Sequence, residues 1–247
     1  MPSVAMSTKL EIDQISRGFC ADRVVGGSDA ADGAYPYQVA LEIRNSLFCG
    51  GSIIDNSWIL TAAHCLDRLT PEKVKVVAGT SILKNGTGQE FEVESLKIHE
   101  NYNSKNVTND IGLIKLKKSI EFNDKMKSIP LADKETRGGR RLTLTGWGKT
   151  RYPGETTTKL QKIELLSVND SDCATIYSGR VDKRNLCTLG IPGRGACQGD
   201  SGGPLVLDGK QVGVVSWGIA CARGMPDVFT DVYSFKDWIE QNIKSEV

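Results

Sequence analysis

Residues 195–204 read GACQGDSGGP, a serine directly after an aspartate with four glycines around the two. A serine hydroxyl is almost wholly un-ionised at neutral pH, so Ser201 becomes a nucleophile only with a base within hydrogen-bond reach. Asp200 is a poor base, because a carboxylate with an ordinary pKa of about 3.9 has little tendency to take a hydroxyl proton. The base has to come from elsewhere in the chain, and Asp200 needs another role.

Only two histidines are present, so the search for a base that works near neutral pH is short. His99 lies in a polar stretch, KIHENY (97–102), and is read as structural. His64 ends an apolar run, WILTAAHC (58–65), beside a cysteine able to pin its backbone. A third group must hold the imidazole in the right tautomer, and Asp110, at the mouth of the apolar run NDIGLIKL (109–116), is the candidate.

The bulk properties narrow the field. A chain of 247 residues can bury a full core as one large domain or two small ones. Its net charge of +1 argues against a surface built to neutralise phosphates, so nucleic acid is not an expected partner. The basic clusters KLKK (115–118) and RGGRR (137–141) read as a solvated strand edge and a loop. Seven cysteines, at 20, 49, 65, 173, 187, 197 and 221, include no CxxC pair, which points to disulfides formed in an oxidising compartment. Sequons at Asn85, Asn106 and Asn169 point the same way, toward a secreted, extracellular protein. Residues 1–23 hold no apolar stretch of signal-peptide length, so the expected leader is taken to lie outside the given chain; no run is long enough to span a membrane.

Turn signals recur at short intervals, at 26–27 (GG), 153–154 (PG) and 208–209 (DG), with β-branched or apolar runs such as YQVALEI, RLTLTGWG and QVGVVSWG between them. This pattern predicts an all-β sandwich or barrel. At the C-terminus Phe235, Trp238, Ile239 and Ile243 fall on one helical stripe, predicting an amphipathic helix docked on the body.

TAAHC (61–65), DIGLIKL (110–116) and GDSGGP (199–204), in that order, resemble the three active-site motifs of the chymotrypsin and trypsin family of serine proteases. The resemblance runs from VVGG at 24 to the C-terminal helix. It implies two packed antiparallel β-barrels, about 24–130 and about 131–247, with the active site in the cleft between them and residues 1–23 as a leader or propeptide. Carried over residue by residue, Ser201 resembles the nucleophile, His64 the general base and later acid, and Asp110 the orienting carboxylate. The N–H groups of Gly199 and Ser201 correspond to the oxyanion hole, glycine at 199 letting the backbone approach without a side chain. The family pattern also pairs Cys49 with Cys65, Cys173 with Cys187 and Cys197 with Cys221, leaving Cys20 over; residues 128–133 contain no cysteine to tether it.

RVVGG (23–27) resembles the family's activation junction. Cutting after Arg23 is expected to free the Val24 amine, which would pair with Asp200; this gives Asp200 the role of a switch. The resemblance places Gly195 at the floor of the specificity pocket and the Ser216, Trp217 and Gly218 backbone along the substrate, with Gly218 leaving the mouth open. An uncharged floor implies cleavage after large apolar residues, whereas Asp227 in PDVF (226–229) puts a carboxylate in the wall, as in some arthropod chymotrypsins and broad-specificity collagenolytic proteases. The alternatives are a trypsin-like or broad-specificity enzyme using Asp227, and a non-catalytic homologue acting as a binding protein. Expected partners are protein or peptide substrates, a trypsin-like activating protease and protein inhibitors, with the enzyme itself a monomer. No metal or organic cofactor is implied, since the stretch from Gly79 to Glu90 offers a hard cation only one carboxylate, Glu90.

Overall fold

In the computed structural model residues 24–84, 86–219 and 221–245 are described; Arg23, Cys20, the rest of the expected propeptide and the Asn85 sequon lie outside them. Short runs that alternate buried and exposed side chains become strands. The clearest is β9 (Gln161–Val168), where Gln161, Ile163, Leu165 and Ser167 point inward and the residues between them face solvent.

The first barrel closes from β2 (Gln38–Ile43), β3 (Ser46–Ile53), β4 (Trp58–Thr61), β7 (Gly112–Leu116), β6 (Gln89–Ile98) and β5 (Lys75–Ala78), in that order, with β5 returning to β2. The second runs β8 (Arg141–Gly146), β9, β10 (Asn185–Thr188), β13 (Asp227–Asp231), β12 (Lys210–Trp217), β11 (Pro204–Leu207) and back to β8, with β1 (Ser28–Asp29) added outside β9. All these ladders are antiparallel, as the closely spaced turn signals require, and closure removes the sheet edges. The expected two-barrel fold is the one observed.

Buried polar pairs tie the barrels together. Ser52 Oγ donates to Gln211 Oε1 at 2.6 Å, Thr145 Oγ1 donates to Gln38 Oε1 at 2.6 Å, and the Gly50 N–H donates to the Ser201 carbonyl at 2.7 Å. Three disulfides, Cys49–Cys65, Cys173–Cys187 and Cys197–Cys221, form the pairs that the family pattern implies.

The helices are short: α1 (Ala63–Leu66), α2 (Asp170–Ile176) and α3 (Lys236–Lys244). The C-terminal stripe docks as expected, but on the first barrel. Ile239, with Phe235 just ahead of α3, lies in that barrel's core, and Trp238 and Ile243 pack on it. The chain thus leaves the second barrel and straps back across the first. His99 sits under this strap, 5.3 Å from the Phe235 ring and 5.1 Å from the Trp238 ring, which confirms its structural role. Ile239→Ala should therefore cost about 2–5 kcal/mol of stability, and the partly buried Ile243→Ala less; denaturant midpoints of the two variants check this ordering.

Candidate active site

Strands β4 and β7 are hydrogen-bonded with Thr61 opposite Gly112, so the residues just after β4 and just before β7 lie side by side. The first segment turns into α1, which carries His64; the second holds Asp110. Asp110 is 2% exposed, and its Oδ1 accepts the His64 backbone N–H at 2.8 Å while Oδ2 lies 2.7 Å from His64 Nδ1. With an acceptor-only carboxylate facing Nδ1, the proton is assigned there, which leaves the Nε2 lone pair available.

The second barrel completes the grip on this acid. Ser216 Oγ donates to Asp110 Oδ2 at 2.5 Å, and Thr230 Oγ1 donates to the Asp110 carbonyl at 2.7 Å. Ser216 can reach because it is the extra residue of a bulge: Val215 lies opposite Phe229 and Trp217 opposite Val228, leaving Ser216 without a partner in the ladder. Sequence reasoning assigned Ser216 only to substrate binding and missed Thr230. No local signal marks either, because the contacts span 106 and 120 residues.

Ser201 sits in a turn between Cys197 and β11, held toward the first barrel by the hydrogen bond from Gly50. The turn can come this close only with glycine at 202: φ there is +76°, and a Cβ would lie 2.2 Å from Thr61 Oγ1. Ser201 Oγ makes no hydrogen bond to His64 Nε2 in this structure, so of the three expected residues only His64 and Asp110 are joined; such bonds often tighten only once substrate is bound. Among the described residues, the N–H groups of Gly199 and Ser201 have no acceptor, whereas the N–H groups of Asp200, Gly202 and Gly203 are all used. Two unengaged donors therefore flank the serine.

Asp200 is fully buried. Its Oδ1 accepts the Gly148 N–H at 2.8 Å and its Oδ2 the Cys197 N–H at 3.0 Å. A Cβ on Gly146 would lie 2.1 Å from Oδ1, so the carboxylate occupies space that only a glycine can leave. Burial pushes its pKa up to about 7 against the pull of the two N–H donors, with the charge of Asp227 adding to the rise. No cation among the described residues pairs with it. Val24 is fully buried in the second barrel beside Leu142, Leu144 and Ile163, and the next residue, Val25, accepts the Gly195 N–H at 3.0 Å.

A cavity of about 170 Å³ opens beside Ser201, lined by Ala196, Gln198, Val215, Ser216, Trp217, Gly218 and Asp227 among others. Asp227 lines the cavity, and its Oδ2 is only 2.4 Å from where a Cβ on Gly195 would stand, so the carboxylate lies directly against that glycine. Oδ2 accepts the Ala196 N–H at 2.7 Å, and burial raises the pKa to about 6. The Cys49, Cys65 and His64 cluster offers no thiolate to a metal, since both sulfurs are joined in a disulfide.

Asp200 and Asp227 both titrate above the ordinary unfolded value of about 3.9. Between about pH 4 and their folded pKa values the native chain therefore holds more protons than the unfolded one, and their contribution to stability falls as pH rises through that window. Thermal melts of the uncut chain from pH 4 to 7 should show this decline, reduced in Asp227→Asn; an identical pH slope in both proteins would contradict it.

The family profile described as Trypsin matches residues 24–239. Chymotrypsin-2 of Vespa crabro is 45% identical over 220 residues, covering 89% of this chain and 99% of that protein. Trypsin of Sarcophaga bullata is 40% identical over 229 residues, 90% of this chain and 89% of that one. Trypsin delta of Drosophila melanogaster is 38% identical over 225 residues, 89% and 88% of the two chains. No described helix is long and apolar enough to cross a membrane. With a barrel pair, a histidine gripped by a buried aspartate, a glycine-bound serine turn and this match along nearly its whole length, the chain belongs to the trypsin family of serine proteases.

Proposed function

We propose that the chain is a secreted, monomeric endopeptidase of chymotrypsin-like specificity, made as a precursor and activated by cleavage after Arg23. The observation that carries the catalytic part is the arrangement around Ser201: a histidine with its Nδ1 committed to Asp110, and two unengaged backbone donors at Gly199 and Ser201. In this reading His64 Nε2 takes the Ser201 proton as the hydroxyl attacks the substrate carbonyl, and later returns it to the leaving amine. The imidazolium formed in between is stabilised by Asp110. The two N–H groups receive the developing oxyanion; losing one such donor costs on the order of a hundred- to a thousandfold in rate.

The activation reading rests on Asp200. A buried carboxylate lacking a cation is costly, by roughly 3–5 kcal/mol when a partner is removed, and the Val24 amine is the cation that a cut after Arg23 would supply. The burial of Val24 in the second barrel supports this. Secretion is supported by the three disulfides.

For specificity, an apolar side chain of the size of Phe or Leu gains about 1.5–3 kcal/mol by burial, and one oxygen of Asp227 is already committed to the Ala196 N–H. The place of that carboxylate, lining the cavity against Gly195, favours a second reading, a broader protease that also takes Lys and Arg once Asp227 is ionised. Protein inhibitors able to lie on Ser216–Gly218 as an added strand fit either version. In the chymotrypsin-like reading an arginine in the activation site is a poor substrate, so a separate trypsin-like activator is required.

One experiment tests these points in sequence. The purified uncut protein, incubated alone at high concentration, should convert slowly, and trace trypsin should trigger rapid appearance of a Val24 terminus. The activated enzyme should then prefer Phe and Leu substrates, with the Arg-to-Phe ratio of kcat/KM rising between pH 5 and 8 as Asp227 ionises. Rapid self-cleavage at Arg23, or cleavage after Arg equal to that after Phe, would replace the chymotrypsin-like reading with the trypsin-like one.

A further inference from the structure

Three cations attached to segments that line the pocket rest on aromatic faces and not on carboxylates. The Arg180 guanidinium lies 5.4 Å from the centre of the Trp217 ring, whose edge is packed by Tyr177 at 4.8 Å. On the Tyr152 ring, Lys149 lies at 5.9 Å and Arg223 at 6.0 Å. Such contacts fall within the range where a cation is held by a ring quadrupole. None of the three cations has an ion pair among the described residues. Elsewhere on the surface, Arg140 pairs with Asp208, Arg184 with Asp182 and Lys210 with Asp133.

Each cation is one link from the cavity. Trp217 itself lines it. The Lys149 N–H donates to the carbonyl of Gln198, a lining residue, at 2.8 Å. Arg223 follows two residues after Cys221, which lines the cavity and is joined to Cys197. The positive charge is therefore carried on residues adjoining the cavity's lining segments, in a chain whose net charge is only +1.

We propose that these three cations form a rim that recognises acidic side chains flanking the cut bond in protein substrates. Stacking on a ring leaves the N–H edge of a guanidinium free, and that edge matches a carboxylate bidentately. The ring also restricts the side chain beforehand, so less freedom is lost when a carboxylate arrives. A substrate running along Ser216–Gly218 passes beside Trp217 and thus beneath Arg180, while Lys149 and Arg223 meet a chain passing by Gln198 and Cys221. The rim is separate from Asp227: that carboxylate reads the side chain inside the pocket, and the three cations read what lies around it.

The inference rests on the protease reading alone, and the test is built so that the two can fail separately. Three peptides share whichever residue before the cut bond the activated enzyme takes best, and carry Glu, Ser or Lys at the flanking positions. At low salt kcat/KM should be about three- to tenfold higher for the Glu peptide than for the Ser peptide. It should be lowest for the Lys peptide, and the spread should shrink in about 1 M salt, where charges are screened within about 3 Å. Lys149→Glu, Arg180→Glu and Arg223→Glu, singly and together, should reduce and then reverse the order, the single variants serving if the triple one fails to fold. Cleavage of the Ser peptide marks the protease reading as intact. Equal cleavage of all three peptides then overturns the rim assignment, as does a Glu preference retained in all the variants, or acceleration of all three alike by a sulfated polysaccharide.

Discussion

One buried carboxylate takes hydrogen bonds from both barrels, and the rest of the site depends on it. The Asp110 carboxylate, 2% exposed, would be costly to desolvate, by several kcal/mol, if its oxygens were left bare. They are not bare: a backbone N–H and a ring nitrogen reach it from the first barrel, and a hydroxyl from the second. Because those donors sit on different barrels, satisfying the carboxylate and closing the barrels on each other are the same event. The orientation of His64 follows, since its ring nitrogen is one of the donors.

Around that node the chain uses glycine to bring charged and polar groups closer than side chains allow. Gly202 lets the serine turn press on Thr61, Gly146 and Gly148 make room for Asp200, and Gly195 makes room for Asp227. Two of these arrangements bury carboxylates without a cation among the described residues. Their raised pKa values record the same cost that the Val24 amine would relieve at Asp200 and that a basic substrate would relieve at Asp227. In the proposed function, activation and the choice of substrate would draw on one physical effect at two sites.

Much of this was legible in the sequence, because the informative residues are local. Alternation in QKIELLSV marks a half-buried strand, and the glycines of GDSGGP mark a turn that tolerates no side chain. The motifs around His64, Asp110 and Ser201 carry the family resemblance, and with it the disulfide pairing. What the sequence could not supply is long-range. Ser216 and Thr230 read as ordinary strand residues until a bulge in β12 and the packing of the barrels bring them to Asp110. The contact of Asp227 with Gly195 was equally hidden, because nothing in PDVF tells where the strand carries its carboxylate. The placing of Arg180 on Trp217 and of Arg223 on Tyr152 was invisible for the same reason: these partners lie tens of residues apart along the chain.

The central claim is that two barrels meeting at Asp110 make Ser201, and no other serine, reactive, once the chain is cut after Arg23. Treatment with a fluorophosphonate followed by peptide mass mapping tests it most directly, because the reagent reports a nucleophilic serine beside an oxyanion site without reference to any substrate. The account predicts one adduct per molecule, on the peptide containing Ser201, rapid in the cut protein and slow in the uncut one, and absent in His64→Ala. An adduct on a different serine, or labelling of Ser201 that proceeds as fast without His64, would contradict it.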